Sequence, residues 1–186
     1  MKLIDAIESR HSIRKFKSKK VKWPDILEAI NSAIKAPLAG NINTLRFIIV
    51  EDTQKKQQIA EATDQLWVAE ADTLVVVCSD SSNIQRMYDE RGKIYEHQQI
   101  GAAIQNFLLR ITDLGLSSCW IGAYLDKNIK LILKIPENIN VEAILPIGYA
   151  DEKPRPKRKD SLQSVIFWEK WDQRKKPQHS KDPATR

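Results

Sequence analysis

Cysteine, histidine and glycine are scarce in this 186-residue sequence, with two, three and six residues respectively. No CxxC or HxxxH spacing occurs, so we expect no metal site. The longest apolar runs, such as residues 74–78, are far shorter than the roughly 20 residues of a membrane span. The opening MKLIDAIESRHSIRKF lacks the apolar stretch of a signal peptide. We therefore expect a cytoplasmic protein without a membrane partner, in which Cys78 and Cys119 are reduced and buried.

The positive charge of the chain is concentrated near its C-terminal end. The net charge is +6, and residues 153–186 hold 11 basic and 4 acidic residues, against 19 and 20 in residues 1–152. A second basic stretch, residues 15–22, contains five lysines. Such patches bind phosphate groups or form a solvated surface, and the sequence leaves both open. Because no groove-reading helix accompanies them, we expect no nucleic-acid partner.

Hydrophobic periodicity predicts alternating helices and buried strands. The predicted helices cover residues 3–8, 24–34, 53–63, 94–114 and 126–133, and Gly115 is expected to end the fourth of them. The predicted strands cover residues 45–51, 73–78, 117–123 and 141–149, with Pro146 splitting the last. This order predicts an α+β fold with three layers, in which helices flank a central sheet.

A bulky apolar set follows the last predicted strand. Residues 160–171 include Val165, Ile166, Phe167, Trp168 and Trp171, which need a surface to cover. An arm that wraps a partner subunit would meet that need. The predicted helix 94–114 is apolar around much of its circumference, which suits an interface or a central core helix.

The chemical motifs point to anion binding rather than hydrolysis, because GxSxG, Walker and GxGxxG patterns are absent from the sequence. Arg10, Ser12 and Arg14 alternate, so an extended segment would direct them to one side, where they could bind a phosphate. Ile13 and Phe16 would then face the core. The alternative is an ordinary basic loop after a helix.

Three further segments share this ambiguity. Residues 37–41 combine a helix-ending loop with Gly40 and Asn41, which offer close backbone approach and an amide. Residues 115–123 are either a core strand or a small-residue strand that presents backbone N–H groups to a flat ligand. Residues 154–159 are either a soluble basic loop or a phosphate clamp on a proline-rich turn.

Together and in this order, the four segments resemble the nitroreductase family of FMN-dependent oxidoreductases. Residues 10–16 are similar to the family's Arg-x-Ser-x-Arg-x-Phe pattern, and residues 102–106 with 115–122 resemble its AxxN…GLGSCWIG block. Residues 37–45 resemble the APSAGNxQPW loop, with departures at Leu38, Asn43, Thr44 and Leu45. Residues 147–171 resemble the family's C-terminal block. The resemblance implies an FMN-binding domain over residues 1–171, followed by a charged tail, residues 172–186, that we expect to be disordered.

The resemblance also implies the assembly and the cofactor site. The family unit is an intertwined homodimer with a mostly antiparallel central sheet, a C-terminal arm exchanged between subunits, and FMN at the subunit interface. By resemblance, the residues that hold the phosphate end are Arg10, His11, Ser12, Lys157 and Lys159, with Arg158 as an alternative to either lysine. Arg14 would lie near the flavin ring, and the backbone N–H groups of Ile121 and Gly122 would meet its N5 or O4 atoms. Leu38, Gly40 and Asn41 would reach the flavin from the other subunit.

The implied reaction is a ping-pong transfer of hydride from NADH or NADPH, through flavin N5, to a small electron acceptor such as a nitroaromatic or a quinone. The flavin carries this chemistry, so no side chain is predicted to be catalytic. Tyr88, Arg91 and Tyr95 either line the acceptor pocket or lie on a surface helix. The alternatives are reductive dehalogenation or other flavin chemistry on the same fold, and a non-catalytic flavin-binding or redox-sensing protein.

Overall fold

A computed structural model of the chain describes residues 1–154 and 159–177. The chain divides into two compact units, Met1–Pro154 and Arg155–Arg186. The predicted division into a domain over 1–171 and a tail over 172–186 stays a prediction. Within the described ranges, no helix combines the length and the apolar character needed to cross a bilayer.

The first unit is built on a four-stranded antiparallel sheet in the order β1-β2-β4-β3. Its strands are β1 (Leu45–Val50), β2 (Thr73–Ser79), β3 (Ser117–Ser118) and β4 (Asn140–Gly148). Every residue of β2 is buried, which explains its unbroken β-branched and apolar sequence. The predicted strands at 45–51 and 73–78 are confirmed within one residue.

Helices cover both faces of this sheet. They are α1 (Leu3–Ser9), α2 (Trp23–Ala33), α3 (Thr53–Ala62), α4 (Ser82–Asp113) and α5 (Asp126–Leu133). Val75 and Val77 of β2 pack in one core with α2 and α4, whereas Leu74 and Val76 pack in a second core with α3 and α5. Because alternate residues of a strand point to opposite faces, this division establishes the predicted three-layer α+β arrangement.

Helix α4 is longer than the predicted helix 94–114 and contains a sharp break. At Asp89 the backbone leaves the helical region, with φ 47° and ψ −133°. The segment before the break folds back so closely that a Cβ on Gly92 would lie 2.7 Å from the Ile84 carbonyl oxygen. Glycine is therefore required at position 92. The helix ends as predicted, with Gly115 N–H donating to the Thr112 carbonyl.

Two strand predictions were wrong at the β3–β4 edge. Strand β4 is not split by Pro146, which pairs in register with Leu74 of β2. The predicted strand 117–123 shrinks to Ser117–Ser118, followed by a single bridge between Ile121 and Ile144. Continuing this register places Cys119 opposite Pro146, which has no N–H to donate, so the pairing lapses there. Cys78 and Cys119 are buried as expected, and no disulfide joins them.

Among its described residues, 159–177, the second unit contains one short helix, α6 (Leu162–Val165). The Phe167 and Trp171 rings lie 4.4 Å apart, and the Arg174 guanidinium lies 4.1 Å from the Phe167 ring centre. Arg174 also donates to the carbonyls of Gln163 and Ser164. Leu162, Val165 and Trp171 remain exposed. These exposed apolar groups are the ones for which a partner surface is predicted.

An ion pair between a largely buried carboxylate, Asp72, and an exposed ammonium, Lys20, ties the chain before α2 to the start of β2. Asp72 accepts a hydrogen bond from Val21 N–H at 2.8 Å, and its other oxygen lies 3.0 Å from the Lys20 ammonium. Burial alone would raise the pKa of Asp72, but the Val21 N–H and Lys20 outweigh it, so the pKa lies below its usual value.

We expect Asp72→Ala to lower the free energy of unfolding by about 2 kcal/mol, because it leaves the buried Val21 N–H without an acceptor. The lowered pKa means that this contribution is present above the unfolded-state pKa and is lost as pH falls. Urea unfolding at several acidic pH values should therefore show that the free energies of unfolding of wild type and variant become more similar as pH falls. Asp151→Asn, an exposed carboxylate 3.7 Å from Lys15, is the control and should change stability by less than about 0.5 kcal/mol. A constant difference across pH would contradict the prediction.

Candidate functional site

The segment after α1 runs as an extra edge beside β3. Ile13 N–H donates to the Ser118 carbonyl at 3.0 Å, in a parallel bridge between Ser12 and Ser118. Ile13 and Phe16 are buried, as predicted. Ser12 and Arg14 are exposed and Arg10 is half-buried, which fits the alternation read from the sequence.

A carboxylate holds the backbone of this segment in place. Glu152 Oε1 accepts hydrogen bonds from the N–H groups of Arg14, at 2.6 Å, and Lys15, at 3.2 Å. His11 Nδ1 lies 2.8 Å from the Ser9 carbonyl, so this nitrogen carries the proton and donates. Sequence reasoning missed Glu152, because 138 residues separate it from Arg14.

The pairing that resumes at Ile121 determines which backbone donors are available beside this segment. Ile121 N–H donates to the Ile144 carbonyl at 3.0 Å, and Ile144 N–H returns the bond. The expectation that Ile121 N–H faces a ligand is therefore corrected, since the sheet uses it. Gly122 is exposed with open space about its Cα, and its N–H makes no hydrogen bond among the described residues.

A buried hydroxyl without a partner lies at the same edge. Ser118 is 5% exposed, and its Oγ atom has no hydrogen-bond partner within the described residues. Native proteins rarely leave such a group unpaired, and an external polar ligand is one way to satisfy it. Ser118, Ser12 and Gly122 thus give this edge a hydroxyl pair and an open N–H next to two guanidinium groups.

The loop before β1 has a conformation that few residues tolerate. Gly40 and Asn41 both have positive φ, 56° and 57°. A Cβ on Gly40 would lie 2.6 Å from the Tyr88 hydroxyl, the far end of a side chain that would have to move, so glycine is favoured there mainly by its positive φ. Asn41 is exposed and Leu38 is half-buried.

These two parts of the predicted site lie at diagonally opposite corners of the sheet. The loop leads into Leu45 of β1, which aligns through Ser79 with Asn140 of β4. Ser118 instead pairs with Ile147, on the far edge and seven residues further along β4. Seven residues of strand span about 23 Å. One chain therefore does not bring Gly40 and Asn41 together with Arg10, Ser12 and Arg14.

The remaining predicted contacts fall elsewhere. Lys159 is exposed and belongs to the second unit, while Lys157 and Arg158 lie outside the described residues. The rings of Tyr88 and Tyr95 meet edge to face at 5.2 Å, with the Arg91 guanidinium 5.5 Å from the Tyr95 ring centre. A cavity of about 430 Å³ opens beside them, lined by Ile42, Asn83, Arg86 and Met87.

A buried acidic cluster, which sequence reasoning missed, lies behind the loop. Ser79 donates to Glu142 at 2.6 Å, and His97 lies 3.5 Å from the other oxygen of Glu142. Glu96 is 1% exposed, and its Oε1 has no partner in the described ranges. Burial raises the pKa of Glu96; Ser79 opposes the shift and the Glu142 charge adds to it. Glu142 enters the cluster because it is the extra residue of a β-bulge in β4.

Comparison with known proteins identifies the class of protein to which this fold belongs. The fold is that of FMN-dependent nitroreductase from Clostridium difficile R20291, with a TM-score of 0.78 and 25% identity over 90% of this chain and 99% of that one. A protein of Archaeoglobus fulgidus, provisionally named NADH dehydrogenase/NAD(P)H nitroreductase, is 33% identical over 89% of this chain and 96% of its own length. Iodotyrosine deiodinase of Thermotoga neapolitana is 25% identical over 83% and 91%. These likenesses define an oxidoreductase.

The family assignment follows from the family model. The model described as the nitroreductase family matches residues 7–79 and 63–149, which together cover most of the first unit. The chain belongs to the nitroreductase family.

The raised pKa of Glu96 predicts a pH-dependent stability. A carboxyl whose folded pKa exceeds its unfolded value stabilises the fold at low pH, and that contribution is lost as pH rises through the folded pKa. Asp80, Glu142, Ser79 and His97 are the groups that act on it. We expect Glu96→Gln, which stays neutral, to gain stability over the wild type as pH increases from about 5 to about 8.

Thermal unfolding across this pH range measures the difference. The matched control is Glu90→Gln on the same helix, whose side chain is 90% exposed and which should show no such trend. If Glu96→Gln and the wild type kept a constant gap at every pH, Glu96 would be ionised throughout and the argument would fail.

Proposed function

We propose that this chain is an FMN-dependent oxidoreductase that takes hydride from NADH or NADPH and reduces a small electron acceptor. The observation that carries the proposal is the β3 edge, where Arg10, Ser12 and Arg14 lie beside the unpaired Ser118 hydroxyl and the open Gly122 N–H. Two cations, hydroxyl groups and a backbone donor match a ligand with a phosphate at one end and a polar ring at the other. The FMN named for the Clostridium difficile relative is such a ligand.

Arg10, His11 and Ser12 hold the ribityl-phosphate end in this proposal. The half-buried Arg10 supplies two parallel N–H groups to phosphate oxygens, and Ser12 supplies a hydroxyl. His11 is oriented by its bond to the Ser9 carbonyl, which leaves Nε2 directed away from that bond. Lys157 and Lys159, or Arg158, are the additional cations that we assign to the phosphate.

Arg14 and Gly122 serve the ring end. Bound FMN supplies a ring system that accepts a hydride and passes its electrons on. Arg14, whose backbone Glu152 fixes, places a cation where negative charge builds up during reduction. Gly122 N–H offers a donor to a ring nitrogen or carbonyl, while Ile121 anchors this donor by its two bonds to Ile144.

The complete site in this proposal needs two copies of the chain. Leu38, Gly40 and Asn41 lie about 23 Å along the sheet from the β3 edge, so the copy that supplies them is a second subunit. The exposed apolar groups of residues 160–171 are the arm that we assign to the contact between subunits. A homodimer with FMN at its interface satisfies both features.

Reductive dehalogenation of an aromatic acid is the second candidate reaction. It is favoured by the cavity next to the loop, in which Arg86 and Asn83 offer polar contacts beside the apolar Met87 and Ile42. A cation in such a lining suits an aromatic acceptor that carries a carboxylate. The Thermotoga relative is named for a deiodination. Release of iodide from an iodinated aromatic acid, measured alongside reduction of a nitroaromatic or quinone, distinguishes the two reactions.

The absorption spectrum of the purified protein, before and after anaerobic addition of NADH or NADPH, tests the proposal. We expect visible flavin bands, from bound or added FMN, that bleach within seconds and return when an acceptor is added. Free FMN in the same buffer is the control for slow bleaching without protein. A protein that binds FMN but is not bleached by either nucleotide would be a flavin-binding or redox-sensing protein. One that binds no FMN would overturn the proposal.

Arg14→Ala should slow flavin reduction by about 100-fold, because it removes a cation from the place where charge develops. FMN affinity should fall by less than about tenfold, since the phosphate contacts of Arg10 and Ser12 remain. Stopped-flow bleaching and FMN titration measure the two effects separately. Lys15→Ala removes a neighbouring exposed charge and should leave both close to wild type. Equal losses of rate and affinity would exclude a role of Arg14 at the ring.

A further inference from the structure

A single buried side-chain amide forms hydrogen bonds to the loop that carries Leu38, Gly40 and Asn41. Gln99 of α4 is 4% exposed. Its Oε1 accepts a hydrogen bond from Ala39 N–H at 3.1 Å, and its Nε2 donates to the Ile42 carbonyl at 3.3 Å and to Thr44 Oγ1 at 2.8 Å. One side chain therefore joins both ends of the turn. We propose that Gln99 is a positioning residue, which fixes this loop in the shape that binds flavin; the flavin part rests on the function proposed above.

The loop needs an external support because its own bonds are few. Within it, Asn41 N–H donates to the Leu38 carbonyl and Ile42 N–H to the Ala39 carbonyl, both at 3.1 Å. The two consecutive positive φ values at Gly40 and Asn41 are uncommon, although asparagine tolerates this region better than most non-glycine residues. Such a conformation persists only where the surroundings impose it.

The three bonds require an amide in particular. Ala39 N–H needs an acceptor, whereas the Ile42 carbonyl needs a donor, and glutamine supplies both from one planar group. A carboxylate would accept from Ala39 but could not donate to Ile42. An apolar side chain would leave both backbone groups unpaired in a buried place, beside Thr44, which is 1% exposed.

The support is rigid because Gln99 lies on the packed part of α4. Ile100 and Ala103, its neighbours on the helix, belong to the core shared with α2. The opposite side of the loop meets Tyr88 and Met87, which come from the segment before the break at Asp89. The loop thus lies between two segments of one helix. Gln99 holds the polar groups of the turn itself, at Ala39 and Ile42, while Asp80 N–H donates to the Thr44 carbonyl at the start of β1.

The test compares Gln99→Met with three other variants. Gln99→Glu keeps the acceptor alone. Gln98→Met is the matched control, because Gln98 is exposed on the same helix. Ile59→Val removes a methylene group from the core formed with α3 and α5, so it lowers stability without contacting the loop. For each protein we would measure thermal unfolding, amide hydrogen exchange over residues 39–44 without flavin, FMN affinity, and the visible circular dichroism of bound FMN.

We expect Gln99→Met to speed exchange over residues 39–44 by at least about tenfold and to weaken FMN binding by a similar factor. The visible circular dichroism of bound FMN should also change in Gln99→Met. The exchange rate and FMN affinity of Gln99→Glu should fall between those of Gln99→Met and the wild type. The two controls should leave exchange and dichroism unchanged. If Gln99→Met does not fold, the same measurements on Gln99→Glu are compared with those on the wild type.

Unchanged exchange in the loop would overturn the proposal. Faster exchange with unaltered FMN affinity and dichroism would also overturn it, because the loop shape would then not matter to the flavin. A wild-type protein that binds no FMN would instead refute the proposed function, and the exchange data alone would then decide whether Gln99 sets the loop.

Discussion

Burial of β2 on both faces is the constraint on which the first unit depends. Val75 and Val77 pack with α2 and α4 on one face, and Leu74 and Val76 pack with α3 and α5 on the other. The strand also pairs with β1 along one edge and with β4 along the other. A strand enclosed in this way cannot slip by one residue without placing each side chain in the wrong core. The register of β1 and β4 is fixed in turn, and with it the corners at which the loop 38–44 and the segment 10–16 are attached.

The candidate site uses the places where this regular sheet stops. Pro146 removes a donor opposite Cys119, so the pairing of β3 lapses there and resumes only at Ile121. The next residue, Gly122, has an open N–H among the described residues. The bulge at Glu142 turns a carboxylate toward Ser79 beneath the loop. The candidate site therefore lies at interruptions of the ladder, while the uninterrupted part supplies the rigidity that holds them.

The features that the sequence predicts correctly are those that depend on the local pattern of residues. The helices, the buried strands, and the inward side of Ile13 and Phe16 follow from periodicity, and the family resemblance is confirmed by the family model. The break at Asp89 was missed because the predicted helix begins at residue 94, after the break. The short β3 was missed because its length depends on Pro146, which lies far along the chain. Glu152 and Gln99 are joined to the site by bonds that span 138 and 57 to 60 residues, and no local pattern announces such pairs.

The break in α4 divides one helix into two parts with different surroundings. Residues after Asp89 hold the core and the amide of Gln99, so most substitutions there cost stability or loosen the loop. Residues 82–88 border a surface cavity, and Asn83, Arg86 and Met87 are exposed. Substitutions at these exposed positions can therefore reshape the cavity without disturbing the core or the bonds of Gln99. About two turns of helix are in this way free to vary at little cost to the packed part of α4.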